Sequence, residues 1–274
     1  MLGSDLVPAL TARGHRAVGL TRRELDIADG QAVEAALAQH RPDCVINCAA
    51  WTDVDGAEAE EAAASRLNDG AAALAAAAAA GIGASFAFIS TDYVFDGTSG
   101  RPYVESDPTN PLGAYGRTKL SGETSVAVAN PRSYIVRSSW LFGCHGKNFV
   151  ETMLGLADTE PEVLVVSDQV GCPTYTVHLA AALVELIEGD DFGIHHIAGA
   201  GECSWFEFAQ EIFDQSDSET RVMAGTTEML ARPAPRPAYS VLRSERRGAI
   251  VLPPWREGLA EYLAERRRTP AVVA

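Results

Sequence analysis

The run Phe86-Ala-Phe-Ile-Ser-Thr-Asp-Tyr-Val-Phe-Asp-Gly97 carries the reading of this chain, together with Leu112-Gly-Ala-Tyr-Gly-Arg-Thr-Lys119, which follows the loop Pro108-Thr-Asn-Pro111. Phe86 to Ile89 is a short apolar stretch of the kind that fills a buried strand, with Ser90 and Thr91 at its carboxyl end. The proline-rich loop suits a rim leading into a helix, because the residue before a proline is kept out of the helical region. On that helix Tyr115 and Lys119 stand four positions apart and share a face. The ammonium can then lower the phenol's pKa so that Tyr115 donates a proton near neutral pH, and the Thr91 hydroxyl can hold the same carbonyl oxygen. Hydroxyl, phenol and ammonium together suit hydride transfer to a ketone. Tyr-x-x-x-Lys by itself fits a solvated helix face; the strand ending in Ser90-Thr91, 24 residues before the tyrosine (115 − 91), gives the pair its chemical meaning.

Outward from this centre, short apolar runs alternate with helix-like stretches, the pattern of a parallel sheet covered on both faces. Strands are expected at 17–20, 44–47, 86–89 and 134–137, with helices over 2–13, 30–39, 58–80 and 114–128. The third helix is rich in alanine, and small side chains let a helix approach a sheet closely. After Trp140 the pattern loosens: helices are expected at 148–156, 178–187, 205–214 and 255–264 and a strand at 163–166, around the turn-rich Arg232-Pro-Ala-Pro-Arg-Pro237. No repeat or disordered linker breaks the chain, which is expected to cross between two lobes more than once and to bind its ligand in the cleft between them.

With 274 residues, about half of them apolar, the chain can bury a sizeable core. Its longest stretch of low polarity, Ala71 to Ala80, is an alanine run and a weak membrane signal, and no signal peptide opens the sequence, so the cytoplasm is the expected compartment. Five scattered cysteines (Cys44, Cys48, Cys144, Cys172, Cys203) lack metal-site spacing and read as free thiols; no metal is expected. The net charge of −15 argues against nonspecific nucleic-acid binding. An anionic ligand would have to be held against that field by local cations and helix N-termini, with Arg22, Arg23, Lys147 and Arg236 as candidates.

These segments resemble the extended short-chain dehydrogenase/reductases, and among them the dTDP-4-dehydrorhamnose reductase family. The likeness extends through Leu25-Asp-Ile27, Arg41-Pro-Asp-Cys-Val-Ile-Asn-Cys-Ala-Ala-Trp-Thr-Asp-Val-Asp55, Arg137-Ser-Ser-Trp-Leu-Phe-Gly143, Asp168-Gln-Val-Gly-Cys-Pro-Thr174 and Arg236-Pro-Ala-Tyr-Ser-Val-Leu242. The resemblance implies an α/β fold, a Rossmann-like doubly wound parallel sheet with a smaller C-terminal substrate lobe. Residues 1–143 would form the dinucleotide-binding core, to which the chain returns at 176–198, and 144–175 with 199–274 the substrate lobe. It implies reduction of C4 in a dTDP-linked 4-keto-6-deoxysugar, with Tyr115 as general acid, Lys119 beside it on the nicotinamide ribose, and Thr91 on the keto oxygen. Leu2, Gly3, Arg22, Arg23, Asp26, Ile27, Ala49, Ala50, Trp51 and Ser90 would join Tyr115 and Lys119 around the cofactor. Val54, Asp92, Tyr93, Trp140, Asn148 and Arg236 would join Thr91 around the nucleotide sugar, although Trp140 and Val54 also read as ordinary packing residues. Where an NAD enzyme of this kind carries an acid for the ribose 2′-hydroxyl, this chain has Thr21-Arg-Arg23, and two guanidiniums suit a 2′-phosphate; NADPH is expected, with NADH the alternative.

The family opens with a strand and a Gly-x-x-Gly-x-x-Gly turn, whereas this sequence starts Met1-Leu-Gly-Ser-Asp-Leu6 and keeps only the third glycine. The expectation is that Met1 is an internal methionine of that turn and that a strand and the rest of the turn precede it. Two further readings stand beside the reductase: a nucleotide-sugar epimerase or dehydratase on the same scaffold, and a non-catalytic regulatory or binding homologue. Membrane partners are not expected, and a homodimer is the assembly the resemblance allows.

Overall fold

The structure, a computed structural model, describes residues 1–268, so the end of the lobe expected over 199–274 lies outside the described residues. Helices α1 (Leu2–Ala12) and α2 (Gly30–His40) come first, the latter capped by the Asp29 carboxylate, which accepts from the Gln31 and Ala32 N–H groups. Then follow β1 (Cys44–Asn47), α3 (Val54–Ala59), α4 (Glu61–Ser65), a π-helical turn Arg66–Ala71, α5 (Ala72–Gly81) and β2 (Ser85–Thr91). A 3-10 turn, Asp92–Val94, leads towards α6 (Ala114–Ala129) and β3 (Ser133–Ser138). Beyond it lie β4 (Leu141–Phe142), α7 (Phe149–Ala157), β5 (Glu162–Val166), β6 (Val170–Gly171), β7 (Thr174–Tyr175), α8 (Thr176–Ile187) and β8 (Gly193–His196). The described chain closes with β9 (Cys203–Ser204), α9 (Trp205–Gln215), β10 (Arg221–Gly225), α10 (Thr227–Leu230) and α11 (Trp255–Arg268).

Four strands form one parallel sheet in the order β1-β2-β3-β8. Alternate residues of β2 face opposite layers. Phe86 and Phe88 pack with Ile135 against the alanines of α5 (Ala72, Ala75, Ala76, Ala79), while Ala87 faces Tyr134, Leu179 and Leu183, with Leu2 and Leu6 of α1 on the same side. The pairing of large rings with an alanine face explains the alanine run: only methyl groups leave room for two phenylalanines beneath a helix. A second core joins Phe142, Val150, Tyr175, Phe208, Ile212, Trp255, Leu259 and Tyr262, and above it β5 pairs with β10. Among the described residues no helix is long and apolar enough to cross a membrane.

The strand expected at 17–20 does not form. Val18 and Leu20 are exposed, the segment has no ladder partner among the described residues, and β1 stands at the edge of the sheet. Apolar character alone does not make a strand; a neighbour must take its N–H and C=O groups. The single helix expected over 58–80 is also interrupted, because Glu60 leaves the helical region at φ −125° and the chain loosens into the π-turn that carries Asn68 inward. The strands β8 and β10, not expected from the sequence, form against β3 and β5.

One buried ion pair ties α6 to the sheet. The Glu123 carboxylate accepts from Arg137 Nε at 2.9 Å and Nη2 at 2.7 Å, and from the Ser90 hydroxyl at 2.5 Å, joining α6 to β3 and β2. Two glycines let the helix come this close: a Cβ on Gly116 would lie 2.2 Å from the Tyr93 carbonyl oxygen, and one on Gly122 2.1 Å from that of Asn68. Removing one member of a buried pair leaves the other charge uncompensated. Glu123→Ala is therefore expected to lower the free energy of unfolding by about 3–5 kcal/mol, read from urea denaturation; a loss no larger than that of an exposed ion pair would show that Arg137 finds another partner.

Candidate active site

β2 delivers Thr91 to the carboxyl edge of the sheet, and α6 delivers Tyr115 and Lys119 beside it. The residue before α6, Gly113, cannot cap the helix; Glu58 does so from α3, its carboxylate accepting the Ala114 N–H at 2.7 Å. A carboxylate at a helix N-terminus is favoured by charge as well as by the hydrogen bond. Thr91 is buried, and its Oγ1 accepts the Tyr93 N–H and donates to Asp92, each at 3.1 Å. The Tyr115 ring meets Tyr93 edge to face, with centroids 6.0 Å apart.

Lys119 lies one turn further along α6 with 1% of its surface exposed, its Nζ 4.0 Å from the centre of the Phe88 ring and without a hydrogen-bond partner among the described residues. Burial pulls its pKa down to about 7, although Glu123 and Cys48 pull the other way. Burial pushes the Tyr115 phenol up to about 12, against the neighbouring Thr91 hydroxyl, which lowers it. The expectation that the ammonium would lower the phenol's pKa is thus not met in the protein alone. A phenol held in its neutral form still suits reduction, where it has to give a proton and not to take one.

Asn47 Nδ2 at the end of β1, Ser138 Oγ at the end of β3 and Lys119 Nζ are all buried polar atoms with no partner among the described residues. Buried donors are normally satisfied. Their gathering at the carboxyl ends of parallel strands suits a ligand rich in hydroxyl and amide groups, such as a dinucleotide.

The other expected site residues divide by what they touch. Ala49, Ala50 and Trp51 follow β1, and Asn68 fixes them: its Oδ1 accepts from Trp51 N at 2.8 Å, and its Nδ2 donates to Trp51 O and to Thr118 Oγ1. Asn68 escaped the sequence reading; the signal was an amide inside an alanine-rich helix. Val54 is the first residue of α3. Arg22 and Arg23 are exposed on a turn closed by Glu24, which accepts from Thr21, and Asp26 accepts from Ala28 N beside a half-buried Ile27. Gly3 lies near Cys48 at the foot of α1, and the Leu2 side chain is part of the core.

Four further side chains are engaged within the protein. Ser90 donates to Glu123. Asn148 caps α7 by accepting from Glu151 N and donates to Gly143 O at 2.9 Å. Arg236, expected at the substrate, makes a two-pronged pair with Asp55 at 3.0 Å on each arm. Asp92 is wholly enclosed and accepts from Thr91 and from Ser240. Trp140 takes a left-handed backbone, φ +47°, and stacks on Trp205 at 3.5 Å and 8°. Trp205 was missed because it opens a helix far along the chain, with nothing in its surroundings to mark it.

A family model described as RmlD substrate binding domain matches residues 1–268. The chain belongs to the dTDP-4-dehydrorhamnose reductase family. The dTDP-4-dehydrorhamnose reductase of Streptomyces griseus is 46% identical over 95% of this chain and 89% of that protein. The crystal structure of such a reductase from Clostridium acetobutylicum superposes with a TM-score of 0.94 at 42% identity, covering 97% of this chain and 96% of that one. Another, from Bacillus anthracis in complex with NADP, gives 0.92 at 36% identity over 96% and 95%. The family is one of oxidoreductases, and this member has the Rossmann-like α/β sheet of its relatives.

The buried lysine leaves a mark on stability. Its folded pKa of about 7 lies below its ordinary 10.5, so between those values the unfolded chain holds the extra proton and stability rises with pH. Lys119→Met should raise the melting temperature of the ligand-free protein below pH 7 and remove this increment above it. Thermal melts across that range check both signs; an unchanged pH dependence would mean that Lys119 is paired in solution.

Proposed function

We propose that the protein reduces the C4 keto group of a dTDP-linked 4-keto-6-deoxysugar, dTDP-4-dehydrorhamnose, with NADPH as the hydride donor. The observation that carries this reading is the buried, unpartnered Lys119 ammonium on the same helix face as Tyr115, beside Thr91. The chemistry that NADPH supplies when bound is the hydride. Lys119 would hold the hydroxyls of the nicotinamide ribose, which give its ammonium the acceptors it lacks within the protein. Thr91 fixes the keto oxygen, and Tyr115 passes its phenolic proton to that oxygen as negative charge builds there. One hydride at carbon and one proton at oxygen complete the alcohol. The likeness to named reductases and to a structure holding NADP supports both substrate class and cofactor. Arg22 and Arg23, exposed and without an ion pair among the described residues, are the groups assigned to a 2′-phosphate.

Purified protein with NADPH and the keto-sugar should oxidise the cofactor in proportion to sugar reduced. Absence of NADPH consumption would exclude the reductase and favour an epimerase or a binding role. Tyr115→Phe is expected to lower turnover by about 10² to 10⁴ while leaving the fold intact; a change within about threefold would remove Tyr115 from the reaction.

Replacing both Arg22 and Arg23 by alanine should shift preference towards NADH, at about 1.5–3 kcal/mol for each contact to the phosphate. Specificity constants for the two cofactors measure this directly. Equal losses for both would place these arginines elsewhere.

A further inference from the structure

Asp92 follows Thr91 directly and has 2% of its surface exposed. Its Oδ2 accepts the Ser240 hydroxyl at 2.5 Å and its Oδ1 accepts the Thr91 hydroxyl at 3.1 Å, and it forms no ion pair among the described residues. The titratable groups that face it are Tyr93 in its own turn, Tyr115 from α6 and Cys172 from the segment after β6. None of them is a cation. Ser240 is held in place from both sides: Val170 N donates to Ala238 O and Ser240 N to Val170 O, each at 2.8 Å, while Tyr103 N donates to Val241 O and Arg243 N to Tyr103 O. The Asp168–Thr174 and Arg236–Leu242 segments therefore meet to carry one hydroxyl to one carboxyl group behind Thr91.

A threonine hydroxyl has one proton and can accept two hydrogen bonds. With Asp92 ionised, that proton points to the carboxylate, and Thr91 has none left for a keto oxygen. With Asp92 neutral, the carboxyl proton can be donated to Thr91 Oγ1, which also accepts the Tyr93 N–H, and the threonine proton is released towards the substrate and Tyr115. We propose that Asp92 is a positioning residue that sets the direction of the Thr91 hydroxyl, and that it serves reduction in its neutral form. A buried carboxylate without a cation is strongly disfavoured. Burial pushes this one up to about 7, against the hydrogen bonds from Ser240 and Thr91.

The inference rests on the reductase reading of the same site, and its test separates the two. The measurement is kcat/KM for the keto-sugar at saturating NADPH, between about pH 5.5 and 9, for the parent, Asp92→Asn and Ser240→Ala. The parent should lose about tenfold or more above neutrality as Asp92 ionises. In Asp92→Asn the amide donates to Thr91 and accepts from Ser240 as the neutral acid does, so this decline should vanish. Ser240→Ala removes a bond that favours the carboxylate and should move the decline to higher pH. The same decline in Asp92→Asn as in the parent would assign it to another group, such as Lys119, and overturn the inference. So would a uniform loss of rate with an unshifted profile. If Asp92→Asn does not fold, an unmoved decline in Ser240→Ala overturns it alone. If the parent consumes no NADPH, the reductase reading has failed on its own terms. The carboxyl carbon resonance of Asp92 then decides whether the group titrates near neutrality or, against the inference, in the ordinary carboxylate range.

Discussion

The Glu123 carboxylate reaches two strands from one helix, and the site depends on that reach. Tyr115, Lys119 and Glu123 recur every four residues and so share one face of α6. Fixing the last of them against Arg137 and Ser90 fixes the rotation of the helix, and with it the heights at which the phenol and the ammonium emerge beside Thr91. The glycines at 116 and 122 act with it, since any side chain there would lift the helix off Tyr93 and Asn68. Glu58 secures the other end. An enzyme that must hold proton donor and keto oxygen in one geometry gains more from such anchoring than from the strength of any single bond.

Charge at the centre runs against charge at the surface. The chain carries a net −15, yet a lysine is buried at the site, and the carboxyl group behind Thr91 forms no ion pair among the described residues. Desolvation weakens the ionised form of both, so the ligand-free site tends towards neutrality. An incoming ligand with hydroxyl acceptors would restore the ammonium its hydrogen bonds. Affinity can then come from local contacts while the overall field repels anions.

The sequence made the strand and helix of the candidate site legible because their signals are local: an apolar run before Ser90 and Thr91, and a spacing of four from Tyr115 to Lys119. The strands β1, β2 and β3 and helix α6 follow from that pattern. What escaped it depends on partners distant in the chain. Whether 17–20 becomes a strand is decided by what lies beside it. The partners that Ser90, Asn148 and Arg236 take within the protein, Glu123, the α7 backbone and Asp55, lie outside any local pattern. Asn68, an amide inside an alanine-rich helix, and Ser240 and Trp205 gain their places only when separated segments meet.

Whether a hydride is delivered to a sugar carbon at this corner of the sheet can be read from isotope transfer. The protein would be incubated with NADPH deuterated on the transferring face of the nicotinamide and with the dTDP-linked keto-sugar, and the product examined by proton NMR. One deuterium at sugar C4 for each NADPH oxidised is the expected result. A product unlabelled at C4, or a sugar rearranged with NADPH unconsumed, would contradict it.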